Sequence, residues 1–161
     1  MSLALVTDRA ARWGVSKVNS LKPGVSLSQL SYDDCDWHVE LFTSNGLVAA
    51  TQDFYVRREM LADFAARLNS FPGSMSDEAR FEINLPTGNW AYYVLLRAYI
   101  FDLSAHSAIE VVMDNNRASS PYQRRSHFHI ECEAASINRL GVALNAWTNA
   151  PTSPLVWSPS Y

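Results

Sequence analysis

From Cys35 to Thr43 the chain alternates apolar and polar residues without a break. Trp37, Val39 and Leu41 fall on one side, and Asp36, His38 and Glu40 on the other. A period of two is the signature of a strand with one covered and one wet face. It commits the chain to a sheet with something packed on the Val39 side. Ser44-Asn45-Gly46 follows as a turn, because Asn and Gly tolerate the positive φ that a tight turn requires. Leu47 to Tyr55 returns as the partner strand.

The rest of the chain is read around this hairpin. Val25 to Leu30 is partly alternating and predicts a preceding strand. Between Val56 and Phe71 the period changes: Leu61, Phe64, Ala65, Leu68 and Phe71 recur at helical spacing, with Arg58, Glu59, Asp63 and Arg67 largely opposite, and Pro72-Gly73 stops the helix. Strands resume at Arg80–Asn84. The run Trp90–Phe101 is rich in Tyr, Val, Leu and Ile, as expected of a strand covered on both faces. Ala105–Met113 and Ser126–Glu133 follow as strands, separated by a polar loop, Asp114–Arg125. In the last strand Phe128, Ile130 and Cys132 point inward. A final helix runs from about Ala134 to Trp147, with Ile137, Leu140, Leu144 and Trp147 on one face. Gly141 within it is either a close-packing position or a local weakness.

Three strands, a helix, four strands and a helix, with short links between strands, imply antiparallel pairing. The expected fold is α+β: a twisted antiparallel sheet of about six to seven strands with two helices packed on it. The 161 residues suit one domain. Residues 1–24 read as an N-terminal arm, where Leu5, Arg9, Ala10 and Trp13 suit a short helix cut off by Gly14, Pro23 and Gly24. Residues 25–148 form the single α+β domain. Residues 149–161 form a Pro-rich tail whose Trp157 and Tyr161 either fold back onto the core or, if exposed, anchor a neighbour.

Composition excludes several classes. Hydrophobic residues at 48% and charged residues at 18% are incompatible with a disordered chain. No apolar run approaches the roughly 18 residues of a membrane span. A pI near 5.7 argues against nucleic acid as the main ligand. The net charge of -3 is an average: Arg9, Arg12, Lys17 and Lys22 against Asp8 leave residues 1–23 at +3, so residues 24–161 carry -6. Cys35 and Cys132 are too few for a disulfide framework, although a single bridge is open. The stretch Met1–Val6 is too short, and too soon interrupted by Thr7-Asp8-Arg9, for a secretory signal. A cytoplasmic protein with reduced thiols is expected.

Chemistry-bearing patterns are few. His127, His129, Glu131 and Glu133 share one face of their strand, as Asp36, His38 and Glu40 share one of theirs. If these strands are neighbours, His38, His127, His129 and Glu131 form a candidate metal site of the kind that takes zinc or non-haem iron. An ordinary wet sheet face carries the same alternation. Glu40, Glu82, Glu110 and Glu131 are acid–base candidates by residue type only. Cys35 and Cys132 have no nucleophile signature around them. No nucleophile elbow or phosphate-binding glycine loop is present, and no cofactor is implied. Arg117, Arg124 and Arg125 with Tyr122 make a small basic loop. Asp33, Asp34, Asp36 and Glu40 place four acids and no base within eight positions, the best candidate for a partner-facing patch.

An ordered string of landmarks carries a resemblance. Trp37-His-Val39-Glu-Leu41 precedes the Asn45-Gly46 turn and Gln52-Asp53-Phe54-Tyr55. Then come Leu61-x-x-Phe64-x-x-x-Leu68, Phe81-Glu82, Leu96-Arg97-x-Tyr99 and Glu133-Ala-Ala-x-Ile137. Over residues 25–148 this resembles a group of small bacterial α+β proteins that includes the Wap-type immunity proteins. The strand carrying His127 and His129 departs from the group. The resemblance implies a non-enzymatic module that binds and neutralises a toxin domain, often a nuclease, and it carries over no binding residue. Three readings are therefore ordered: a binding module of this kind with a protein partner, a scaffold or homo-oligomerising domain, and a metal-dependent enzyme using the His/Glu-rich face.

Overall fold

A computed structural model describes residues 21–33, 35–117 and 121–160. The element order is β1 (Gly24–Tyr32), β2 (Trp37–Ser44), β3 (Ala49–Val56), α1 (Arg58–Asn69), β4 (Glu78–Ile83), β5 (Tyr93–Ile100), β6 (Ser107–Asp114), β7 (Arg125–Cys132), α2 (Ala134–Asn149) and β8 (Leu155–Trp157). The fold is α+β with antiparallel pairing throughout.

One expectation is corrected. The strands do not form a single sheet of six or seven. They form two four-stranded sheets, ordered β3-β2-β1-β8 and β4-β5-β6-β7. β1–β2–β3 and β4–β5–β6–β7 are each meanders of sequential strands, α1 carries the chain from one to the other, and β8 joins the first sheet from the far end of the chain. Each sheet has an apolar face, and a single core forms where these two faces and the apolar sides of α1 and α2 cover one another. Val39, Leu41 and Phe54 of the first sheet share one core with Phe81, Leu96, Ile109, Val111 and Ile130 of the second.

The first sheet draws its fourth strand from the Pro-rich tail. β8 pairs with β1, matching Val25 to Trp157 and Leu27 to Leu155. Leu155 and Trp157 are buried, and the Trp157 Nε1 donates to the Ser136 carbonyl. Tyr161 and the proposed helix of residues 5–13 lie outside the described residues.

The β2–β3 turn is wider than a two-residue hairpin. The Asn45 side-chain oxygen accepts from the Leu47 and Val48 backbone N–H groups, so Leu47 belongs to the loop and β3 begins at Ala49. Gly46 sits at φ 91°, the region glycine enters without strain. β5 begins at Tyr93 rather than Trp90, and its first four residues are buried from both sides as expected.

The helices pack on each other, α1 also against β4 and α2 against β8. Their contact runs over Gly141: a Cβ there would lie 2.6 Å from the Asn69 backbone nitrogen and 2.9 Å from the Ala65 carbonyl. Gly141 is therefore a close-packing position. One turn earlier, the Asn138 amide donates to the carbonyls of Leu68 and Phe71 and satisfies the open end of α1. With helices and inner faces consumed by the core, each sheet turns its outer face away from it.

Candidate functional site

The outer face of the first sheet is built from alternate residues of β2 and β3. Glu40 lies directly opposite Asp53, His38 opposite Tyr55, and Phe42 opposite Thr51. Ser28 and Ser26 of β1 continue the rows, and Val156 extends the Phe42 row. Residues 24–56 and 150–160 contain no Lys or Arg. Like charges directly opposite on a sheet, about 5 Å apart, destabilise it. Glu40 is exposed, and its carboxylate makes no hydrogen bond or ion pair among the described residues.

Asp53 is partly relieved. His38 Nε2 lies 2.9 Å from its Oδ2 and stacks on Tyr55 at 4.6 Å between centroids. That hydrogen bond, with lesser help from the charge of Arg124, holds the Asp53 carboxyl below its usual range despite some burial. Arg124, from the basic loop, lines a groove together with Ala49, Ala50, Thr51 and Gln52 of β3. Beside the acids stand exposed Tyr55, Phe42 and Val156, the last 73% accessible.

The acidic patch expected from sequence is only partly this surface. Asp33 is committed locally: its Oδ1 accepts from the Cys35 and Asp36 backbone N–H groups, which lowers its pKa and closes the β1–β2 turn. Asp36 lies in the same turn and is half-buried. Asp34 lies outside the described residues. Asp53, absent from the expected patch, is the residue that β2–β3 pairing brings to Glu40.

The second sheet carries a different constellation. On β7, His127 and His129 are exposed and their rings tilt together at 5.4 Å. On β6, Glu110 is paired in register with His129. Its Oε1 lies 2.9 Å from His127 Nε2, and its Oε2 accepts from Arg97 Nε at 2.7 Å. Partial burial pushes the Glu110 carboxyl up, but the hydrogen bonds from His127 and Arg97, with their charge, outweigh it and hold the group below its usual range. Arg97 also reaches Glu78 at 3.2 Å and lies over the Tyr99 ring. The Tyr99 hydroxyl lies 3.0 Å from His129 Nδ1.

The sequence-predicted metal set is therefore divided. His127 and His129 come together, but His38 sits on the other sheet with Asp53. Glu131 lines a groove with His106 and Phe101 and does not join the cluster. The carboxylate that does join is Glu110. Two residues along a strand brought Glu131 to notice, whereas Glu110 is a cross-strand neighbour, visible only once the β6–β7 register is known.

Other candidates have structural roles. Glu82 accepts from Arg80 through both oxygens and from the Tyr93 hydroxyl, whose pKa burial and this carboxylate push up to about 12. Cys35 and Cys132 are both free thiols. Cys132 is buried, and burial pushes it up to about 12. Among the described residues no helix is long and apolar enough to cross a membrane.

No family model matches the chain, and no curated protein matches it. Among solved structures it is similar to the plant transcriptional regulator PBF-2, at 11% identity and a TM-score of 0.44. The match covers 79% of this chain and 76% of that one.

Proposed function

We propose that this chain is a non-enzymatic binding module whose outer first-sheet face receives a cationic protein partner. The Glu40–Asp53 cross-strand pair carries the reading. Two carboxylates facing each other cost the isolated chain stability. A partner cation seated between them turns that repulsion into attraction. Complementary charge of this kind speeds encounter and selects partners, while Tyr55, Phe42 and Val156 offer apolar area that anchors a contact. The absence of Lys and Arg from every strand of this sheet supports the same partner chemistry.

The resemblance to Wap-type immunity proteins supplies a narrower form of the proposal. A nuclease domain must present cationic groups to phosphate, and a surface of paired acids and aromatics would occupy them. Co-expression with a toxin encoded beside this gene tests it. Growth is rescued by the native chain and by His127→Ala, and not by Glu40→Lys combined with Tyr55→Ala. Equal rescue by that double variant, or none by the native chain, overturns the reading.

A further inference from the structure

We infer that Glu110, His127 and His129 bind a divalent transition-metal ion of the zinc class. The ligand atoms of these three side chains all lie within 4.8 Å of one another. A tetrahedral centre with metal–ligand bonds near 2.1 Å has ligand–ligand edges of about 3.4 Å, so small side-chain rotations suffice to close around an ion. Two imidazoles and one carboxylate are a donor set that zinc and its first-row neighbours accept, and three protein ligands leave a position for water. Both histidines are exposed, so entry is open.

The surroundings orient the ligands as well. A metal-binding histidine usually gives its other ring N–H to an oxygen. With Nδ1–H of His129 donating to the Tyr99 hydroxyl oxygen, Nε2 carries the lone pair for the metal. The carboxylate is held in turn: Arg97 takes Glu110 Oε2 and leaves Oε1 on the His127 side. The opposing term is the Arg97 charge. Glu78 shares that charge, so Glu78, Glu110 and Arg97 sum to one negative charge before a metal arrives. This site lies on the opposite sheet from the proposed partner surface and does not depend on it.

The test is calorimetric titration of the full chain, stripped of metal with chelator, with zinc chloride near neutral pH. One saturable ion per chain is expected. Affinity should fall at least about tenfold in His127→Ala, His129→Ala and Glu110→Gln, and by a similar factor in Tyr99→Phe, which removes only an orienting oxygen. His38→Ala and Glu131→Gln should bind as the native chain does. Far-UV circular dichroism in chelator separates lost binding from lost fold, and the solvent-exposed histidine variants are expected to keep the native spectrum. Magnesium should not compete, because it prefers oxygen donors. The inference is overturned if no saturable binding is seen, if Glu110→Gln binds like the native chain, or if His38→Ala weakens binding as much as His127→Ala.

Discussion

Replacing Gly141 with Ala sets two effects of similar size against each other. In a helix interior, Ala is favoured over Gly by about 1 kcal/mol. At this position the added Cβ would meet the Asn69 nitrogen at 2.6 Å, the Ala65 carbonyl at 2.9 Å and the Asn69 Cα at 3.0 Å. All three are backbone atoms of α1, and none can rotate away. Relief requires α1 and α2 to separate by several tenths of an ångström. That movement also loosens the Asn138 hydrogen bonds to Leu68 and Phe71 and the packing of Leu140 and Leu144. Overpacking of this kind costs about 1–3 kcal/mol, and the rigidity of the obstacle puts this case in the upper half. The net expectation is destabilisation by about 1–2 kcal/mol after the propensity gain. At roughly 2–4 °C per kcal/mol for a chain of this size, Tm should drop by about 2–8 °C. Urea unfolding followed by tryptophan fluorescence and circular dichroism measures it. Val142→Ala, on the exposed side of the same helix, is the control and should move stability by less than about 0.5 kcal/mol. If Gly141→Ala is as stable as the native chain or more so, the helices do not meet as described.

Three further outcomes follow from single residues. Among the described residues, Thr43 Oγ1 is the buried side-chain polar atom without a hydrogen-bond partner, so Thr43→Val should raise stability by about 1 kcal/mol in the same urea assay. Trp157→Ala removes a buried ring and its bond to the Ser136 carbonyl and should cost about 3–5 kcal/mol, whereas a tail outside the fold would give almost no change. The hydrogen bond and charge of Asp102 raise the His106 pKa above its ordinary 6.5, so NMR titration should find it there in the native chain and lower in Asp102→Asn. Because the folded pKa is raised, the pair stabilises the fold below the unfolded pKa, and that contribution is lost as pH rises through the folded value.

Much of the fold was legible because local rules governed it. The alternation at Trp37–Leu41, the Asn45 turn and the helical faces of Leu61–Leu68 and Ile137–Trp147 are set by neighbours in sequence, and the structure keeps them. The division into two sheets is set by which apolar faces meet, which no local pattern encodes. β8 was hidden for a related reason. Leu155-Val-Trp157 is too short to show a period, and only its pairing with β1 makes it a strand. The sites follow the same division. His127 and His129 are legible as a same-strand pair. Glu110 and Asp53, each joining its site across a strand boundary, required the register.

In the proposed function the first-sheet face keeps Glu40 opposite Asp53 for a cationic partner rather than for its own stability. Glu40→Lys tests both halves in one variant. It converts a like-charge pair into an opposite-charge pair, so the isolated chain should gain about 0.2–1 kcal/mol in urea unfolding. Measured by calorimetry against the cationic partner domain that the proposal requires, its affinity should fall by at least about tenfold relative to the native chain, which is about 1.4 kcal/mol or more. A variant that loses stability, or binds that domain as tightly as the native chain, would show that the Glu40–Asp53 pair does not serve a cationic partner.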